Sequence, residues 1–210
     1  MQHSMVRLVA RSAAIAMLAL VAQSASALGQ SGGGEPMVRV GFGGGVTVPV
    51  SDAKAAFNNG VNGTGFVLVN ALGPGLPALR FSFTYDRLDY KAAVANSGVG
   101  STSTVNPGTS QILGGTVGIK IHLVPGPVSP FVMAGLGAFN VRDLVNATNG
   151  SQSTLSNTNF GVDGGGGLEM KFGRLSAFAE ARVQNVFTQS SGLLKRSSIQ
   201  SVPVTFGILF

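Results

Sequence analysis

From about residue 37 onward, bulky apolar residues fall on every second position over runs of roughly ten residues, with small or polar residues between them. The clearest run is Leu79, Phe81, Phe83 and Tyr85, alternating with Arg80, Ser82, Thr84 and Asp86. A period of two belongs to a β-strand with one apolar face. Val38, Val40, Phe42, Val46 and Val48 make another such strand against Arg39, Gly41, Gly43, Gly45 and Thr47. Residues 63–72 are apolar on both faces, so their register is open. Leu113, Val117, Ile119, Ile121 and Leu123 alternate with Gly114, Thr116, Gly118, Lys120 and His122. Residues 131–141 set Gly135 and Gly137 on one face and Val132, Ala134 and Leu136 on the other. Phe160, Val162, Leu168, Met170 and Phe172 alternate with Gly161, Asp163, Glu169 and Lys171; Ala177, Ala179, Ala181 and Val183 alternate with Phe178, Glu180, Arg182 and Gln184. The chain ends on Val202, Val204, Phe206, Ile208 and Phe210, with mostly small residues between them, which makes eight strands.

The connections alternate in length. Short turns fall at residues 73–75, 124–129 and 173–174; long polar loops fall near 49–60, 87–108, 142–159 and 188–197. Short turns at one end and long loops at the other suit a barrel crossing a membrane, with periplasmic turns and extracellular loops. A soluble up-and-down barrel has no reason to keep that phase, and it would put its apolar face inside. Ahead of the strands, Arg7 and Arg11 precede a short apolar core at 13–22, and Ala25-Ser26-Ala27 supplies a small-x-small site. Residues 1–27 therefore read as a cleavable signal peptide, cut after Ala27 with Ala25 and Ala27 flanking the site. Residues 28–36 form a flexible tether, and residues 37–210 the barrel.

Composition sharpens this picture. Charged residues are 10% of the chain, against roughly 25% in soluble domains. No apolar run reaches the ~20 residues of a membrane helix. There is no cysteine, hence no disulfide, thiolate metal site or lipid-modified thiol. The net charge of +6 falls by two when Arg7 and Arg11 leave. No basic run exists beyond Lys195-Arg196, which argues against nucleic acid as a partner and suits anionic lipid headgroups.

The terminal stretch, with Phe210 preceded by Ile208, Phe206 and Val204, resembles the C-terminal signature of bacterial outer-membrane β-barrels. The segments PFVMAGLG from Pro130 and FAEARVQ from Phe178 look like the fifth and seventh strands of the small OmpA/OmpX-type family. The resemblance covers residues 37–210. It implies an all-β, eight-stranded antiparallel up-and-down transmembrane barrel in the bacterial outer membrane, reached through the periplasm. It also implies that the assembly machinery reads Phe210, Ile208, Phe206 and Val204, and that outer-membrane lipid and lipopolysaccharide surround the finished monomer. Two features depart from the family. The chain has no Trp, so an aromatic girdle rests on Phe and Tyr. Pro203 removes a ladder donor inside the last strand, which predicts a bulge there.

An eight-stranded barrel is filled by its own side chains. The strand parities put Arg39, Arg80, Asp86, Lys120, Asp163, Glu169, Lys171, Glu180 and Arg182 in the lumen. Such groups are expected to interlock, because an unpaired buried charge costs several kcal/mol. The turn at Gly173 sets Asp163 opposite Gln184, one diagonal step from Arg182, and Gly167 opposite Glu180. Their functional reading is a gated pore or proton path; their plainer reading is an electrostatic core that blocks the barrel. His122 points inward at the turn end without evident partners, away from where a catalytic triad would sit. The glycine runs at 41–45 and 164–167 precede no helix and carry no Gly-Lys-Ser/Thr, so nucleotide binding is not indicated. No catalytic residue, metal or cofactor is expected. The sequence favours a closed barrel with a structural or surface-interaction role over a small channel, a barrel enzyme or a soluble lipocalin-like binder. Cleavage at the small-x-small site makes Leu28 the mature N-terminus, and the intact mass of the envelope form should lack residues 1–27; a retained Met1 refutes it.

Overall fold

The computed structural model describes residues 36–70, 76–91, 108–146, 152–187 and 198–210. The signal segment with Ala25 and Ala27, nearly all of the tether, the turn at 73–75 and the loop at 188–197 lie outside the described residues. Eight strands run in chain order: β1 (Val38–Pro49), β2 (Gly60–Val69), β3 (Ala78–Asp89), β4 (Thr109–His122), β5 (Val128–Asn146), β6 (Gln152–Phe172), β7 (Leu175–Val186) and β8 (Ile199–Leu209). Each pairs antiparallel with the next, and β1 pairs with β8, so the sheet closes into an up-and-down barrel. Closure leaves no strand edge along the wall and satisfies the backbone internally, as a membrane interior demands. The last residue takes part: Phe210 exchanges both backbone hydrogen bonds with Val40, at 2.9 and 2.8 Å.

The alternating side chains sort as the pleat requires. Phe42, Phe81, Phe83, Val117, Leu136, Leu168 and Phe206 are exposed on the outer wall, while Arg80, Ser82, Thr84, Lys120, Glu169, Glu180 and Thr205 are buried inside. A belt of large apolar groups facing outward on every wall is built to meet lipid. Phe42 packs edge-on against Phe210 near the turn end, and Phe160 stacks on Phe187 near the loop end, so aromatics do line both rims without Trp.

The structure decides what the pattern left open in β2, which begins at Gly60 rather than residue 63 and ends at Val69. Thr64, Phe66 and Leu68 point inward, and Val61, Val67 and Val69 outward. The reason is local volume. Phe66 lies opposite Gly41, where a Cβ would meet the Phe66 ring, at 2.7 Å from Cε2.

Three connections differ from expectation. The 49–60 loop contains a short helix, α1 (Asp52–Ala56), entered through Ser51 in the left-handed region at φ 51°. The expected loop at 142–159 is largely strand: β5 and β6 stay paired from Val128↔Met170 out to Asn146↔Gln152. Alternating Asn, Thr and Ser carry that ladder beyond the apolar belt, so polarity there reports water outside the wall rather than lost strand. Likewise, β3 continues through Arg87 to Asp89. Pro203 makes no bulge. Its ladder to β1 is unbroken at Thr47↔Pro203. The ladder to β7 lapses between Ala181↔Val204 and Gln184↔Ser201 and resumes in the same register. The missing donor is absorbed by skipping two pairs on one side.

Where an inward glycine lies against backbone, no neighbour can yield. A Cβ on Gly207 would meet the Phe42 carbonyl oxygen, Gly43 Cα at 2.7 Å and the Phe178 ring at 2.6 Å; one on Gly115, facing outward, meets nothing within 4 Å. Gly207→Val should therefore destabilise the barrel by about 1–3 kcal/mol, and Gly115→Val should be near neutral. Urea unfolding of the refolded protein in lipid vesicles measures both, and equal effects would show that the inner wall tolerates a side chain at Gly207.

Candidate functional site in the barrel lumen

The inward parity of β1, β4 and β6 brings Arg39, Lys120 and Glu169 together near the turn end. Arg39 Nη1 donates to Glu169 Oε1 at 2.7 Å, and Lys120 Nζ donates to Oε2 at 2.6 Å. Arg39 Nη2 also donates to Ser176 Oγ at 2.6 Å. Glu169 is fully buried, and so, within a few per cent, are both cations. His122 joins them, with Nε2 3.1 Å from Glu169 Oε2 and its ring against Phe131. It therefore has a partner, which the spacing of a lone histidine along one strand could not reveal.

A second group crosses the middle of the lumen. Arg80 on β3 forms a two-pronged pair with Glu180 on β7, Nη1 to Oε2 at 2.7 Å and Nη2 to Oε1 at 3.0 Å. Its Nε donates to Ser82 Oγ at 3.0 Å, and its guanidinium lies over the Phe66 ring, 3.8 Å from the centroid. Such a planar fork, stacked and fully donated, is a geometry arginine supplies and lysine does not. Arg182 lies 3.4 Å from Glu180 Oε1 through Nε and 3.5 Å from Asp163 Oδ2 through Nη1. The register beneath this group is Asp163 opposite Gln184 and Gly167 opposite Glu180.

Asp86 lies within electrostatic reach of Arg182. Its Oδ1 accepts a 2.5 Å hydrogen bond from Thr47 Oγ1. Lys171 is half-buried at the turn-end rim, its backbone N–H bonded to the Pro127 carbonyl at 2.7 Å. The outward residues Val204, Phe206, Ile208 and Phe210 lie on the lipid-facing wall of the last strand. Ser176, Ser82, Thr47 and Met133, the last 2.8 Å from Arg80 Nη1, are further contacts of these charges. All four lie at inward parities. Parity marks the wall they occupy, but nothing local marks the strand across from them.

Apolar side chains share the lumen with the charges. At the turn end Phe66, Leu68, Ala78, Phe178 and Leu209 form one cluster, with Phe66 edge-on to Phe178. At the loop end Leu88, Ile112, Phe139, Val186 and Ile199 fill the mouth. The α1 segment lays Ala53, Ala56 and Phe57 on top of them, and Phe57 packs against Tyr90. This seal was hidden in a stretch that reads as a polar loop, because a few apolar residues in so short a stretch carry no periodicity. A cavity lined by Arg80, Ser82, Thr116, Met133 and Asp163 has room for about one water molecule. Among the described residues no cluster of His, Cys, Asp and Glu is arranged to hold a metal ion.

No protein-family model matches the sequence, and no curated protein matches it either. Solved structures do. The chain is similar to Neisserial surface protein A, with TM-score 0.55, 16% identity, and coverage of 83% of this chain and 96% of that one. It has the fold of the small eight-stranded outer-membrane barrels. It is also similar to Ail, the attachment invasion locus protein of Yersinia pestis, solved in complex with the heparin analogue sucrose octasulfate. That match has TM-score 0.50, 14% identity, and coverage of 82% of this chain and 97% of that one. Identities this low speak for the architecture and leave the lumen chemistry to this chain's own residues.

Glu169 is the sharpest test of those residues. Glu169→Ala strands Arg39 and Lys120 in a dry lumen and should cost about 3–5 kcal/mol. Arg174→Ala, at the exposed tight turn, should cost less than about 1 kcal/mol. Urea titration in vesicles compares them, and equal costs would mean that the Glu169 cluster is solvated.

Proposed function

We propose that this is a monomeric integral protein of the bacterial outer membrane, with a closed lumen and no catalytic activity, whose role is structural or played at the cell surface by its loop end. The observation that carries the reading is the Arg80–Glu180 fork spanning the barrel from β3 to β7, with the apolar seal topped by α1 beyond it. A pore needs a continuous wet path, and here the path is crossed by a desolvated ion pair and then by packed aliphatic and aromatic groups. The only histidine among the described residues, His122, is engaged with Glu169 and lies far from the loop-end rim, so it offers no base to a substrate arriving from the surface.

In this reading the turn end faces the periplasm and the loop end the exterior. Lipid and lipopolysaccharide are its surroundings, and the assembly machinery meets Phe210, Ile208, Phe206 and Val204 before the barrel closes. The attachment role in Ail's name and its bound polyanionic sugar analogue belong to that protein; they support a surface-interaction role here as a class. The lumen should carry no steady current. Purified protein reconstituted in planar bilayers is expected to show no stepwise conductance above the bare bilayer, and reproducible unitary openings would replace this reading with that of a small channel.

A further inference from the structure

The outer wall is almost free of charge, and its exceptions are gathered in one place. Among the described strand residues, the outward-facing charged side chains are Arg87 and Asp89 on β3 and Arg142 on β5. The pairing sets them in rows across four strands. Arg87 lies opposite Gln111, Gln111 opposite Arg142, and Arg142 opposite Ser156. The row immediately below is Tyr85, Leu113, Asn140 and Thr158, where the apolar belt gives way to polar groups. The two arginines thus stand in one row of paired residues, two strands or about 10 Å apart, just beyond the apolar belt.

Arg142 is oriented rather than loose. Its Nε donates to Asn140 Oδ1 at 3.2 Å, the same oxygen accepts from Ser156 Oγ at 3.1 Å, and Asn140 Nδ2 donates to Thr158 Oγ1 at 3.0 Å. Its two Nη groups make no hydrogen bond among the described residues, and its side chain is exposed. Arg87 is 53% exposed, with only a 3.8 Å approach to Asp89. Asp89, one row farther out, is itself held by Thr109 Oγ1 at 3.2 Å. Two exposed guanidinium groups, one of them oriented, with the Gln111 amide between them, are donors suited to phosphate on a sugar. On the opposite side of the barrel, β7, β8 and β1 offer no outward charge.

We propose that the loop-end row of Arg87, Gln111, Arg142 and Ser156, with Asn140 below it, binds the phosphorylated saccharide headgroup of an outer-leaflet glycolipid. The proposal rests on the loop end facing the exterior, where such glycolipids lie. Their acyl chains would run down the apolar wall of β3 to β6, and their phosphates would reach the arginines.

The test uses the mature protein refolded in uncharged detergent, with the heat-dependent gel shift of the closed barrel checked for every variant. Binding of bisphosphorylated lipid A is followed by native mass spectrometry. R87Q and R142Q should each weaken binding roughly fivefold, and the double variant roughly 25-fold. R174Q, a cation removed from the turn end, should bind as wild type does. Dephosphorylated lipid A should bind wild type no better than the double variant does, and millimolar inorganic phosphate should leave lipid A bound. Wild-type affinity in both single variants, an equal loss in R174Q, or full displacement by inorganic phosphate would overturn the site. Absence of the gel shift in wild type would instead count against the barrel, so the two failures are distinguishable.

Discussion

Inside a ring of eight strands there is room for side chains and little else, so an inward charge must find its counter-charge within the ring, along its own wall or across the lumen. That constraint organises this structure. Backbone ladders tie each strand to its neighbour, but Arg80–Glu180 joins β3 to β7 and Arg39–Glu169 joins β1 to β6, walls that share no ladder. The pairs therefore form only when the sheet has closed, and they hold one register. A slip by one residue would turn every inward charge toward lipid. Both glutamates are shared: Glu169 between Arg39 and Lys120, Glu180 between Arg80 and Arg182. Asp163 beside Arg182, and Asp86 within reach of its charge, bring the carboxylates facing these four cations to four.

The same constraint acts on volume. Phe66, Phe131, Phe139 and Phe178 all point inward and are almost fully buried, and an eight-stranded ring accepts such rings only where the facing wall is bare. Phe66 lies opposite Gly41, and Phe139 lies where Cβ atoms on Gly114 and Gly161 would collide with it. The rings also serve the charges. Phe66 lies beneath Arg80, and Phe131 lies 3.9 Å from Lys120 Nζ, so the cations lose water to aromatic faces as well as to carboxylates. Packing and electrostatics are one arrangement here, since moving either phenylalanine would uncover a buried cation.

These relations explain how much was legible in the chain. Alternation reports which wall a residue occupies, and it sufficed for the strand number and the closed up-and-down order. It reports partners only where a tight turn fixes the register, as at Gly173 between β6 and β7. The partner of Arg80 lies 100 positions away, and no local pattern carries that distance. Residues 63–72 could not be assigned because both faces were apolar, and what orients Phe66 is a glycine on another strand. The helix over the mouth and the long β5–β6 ladder were missed for opposite reasons. One is too short to show a period, and the other leaves the lipid and so loses the apolar half of its alternation.

The outcome is a wall whose two faces answer to different demands. Arg39, Arg80 and Lys120 are held by partners on non-neighbouring strands, whereas an outward residue need only be apolar to the depth of the bilayer. At the loop end both demands lapse: beyond Tyr85, Leu113 and Phe160 the strands continue as polar ladder, and α1 closes the mouth with Ala53, Ala56 and Phe57 while leaving Asp52 and Lys54 exposed. In the proposed reading this seal separates the surface from the lumen. What the exposed side of α1 and the projecting β5–β6 arm present to the exterior can change without disturbing a single lumen ion pair. In the proposed reading of a closed barrel, surface chemistry stays at that end, because the apolar groups of the mouth stand between an arriving solute and the charges within.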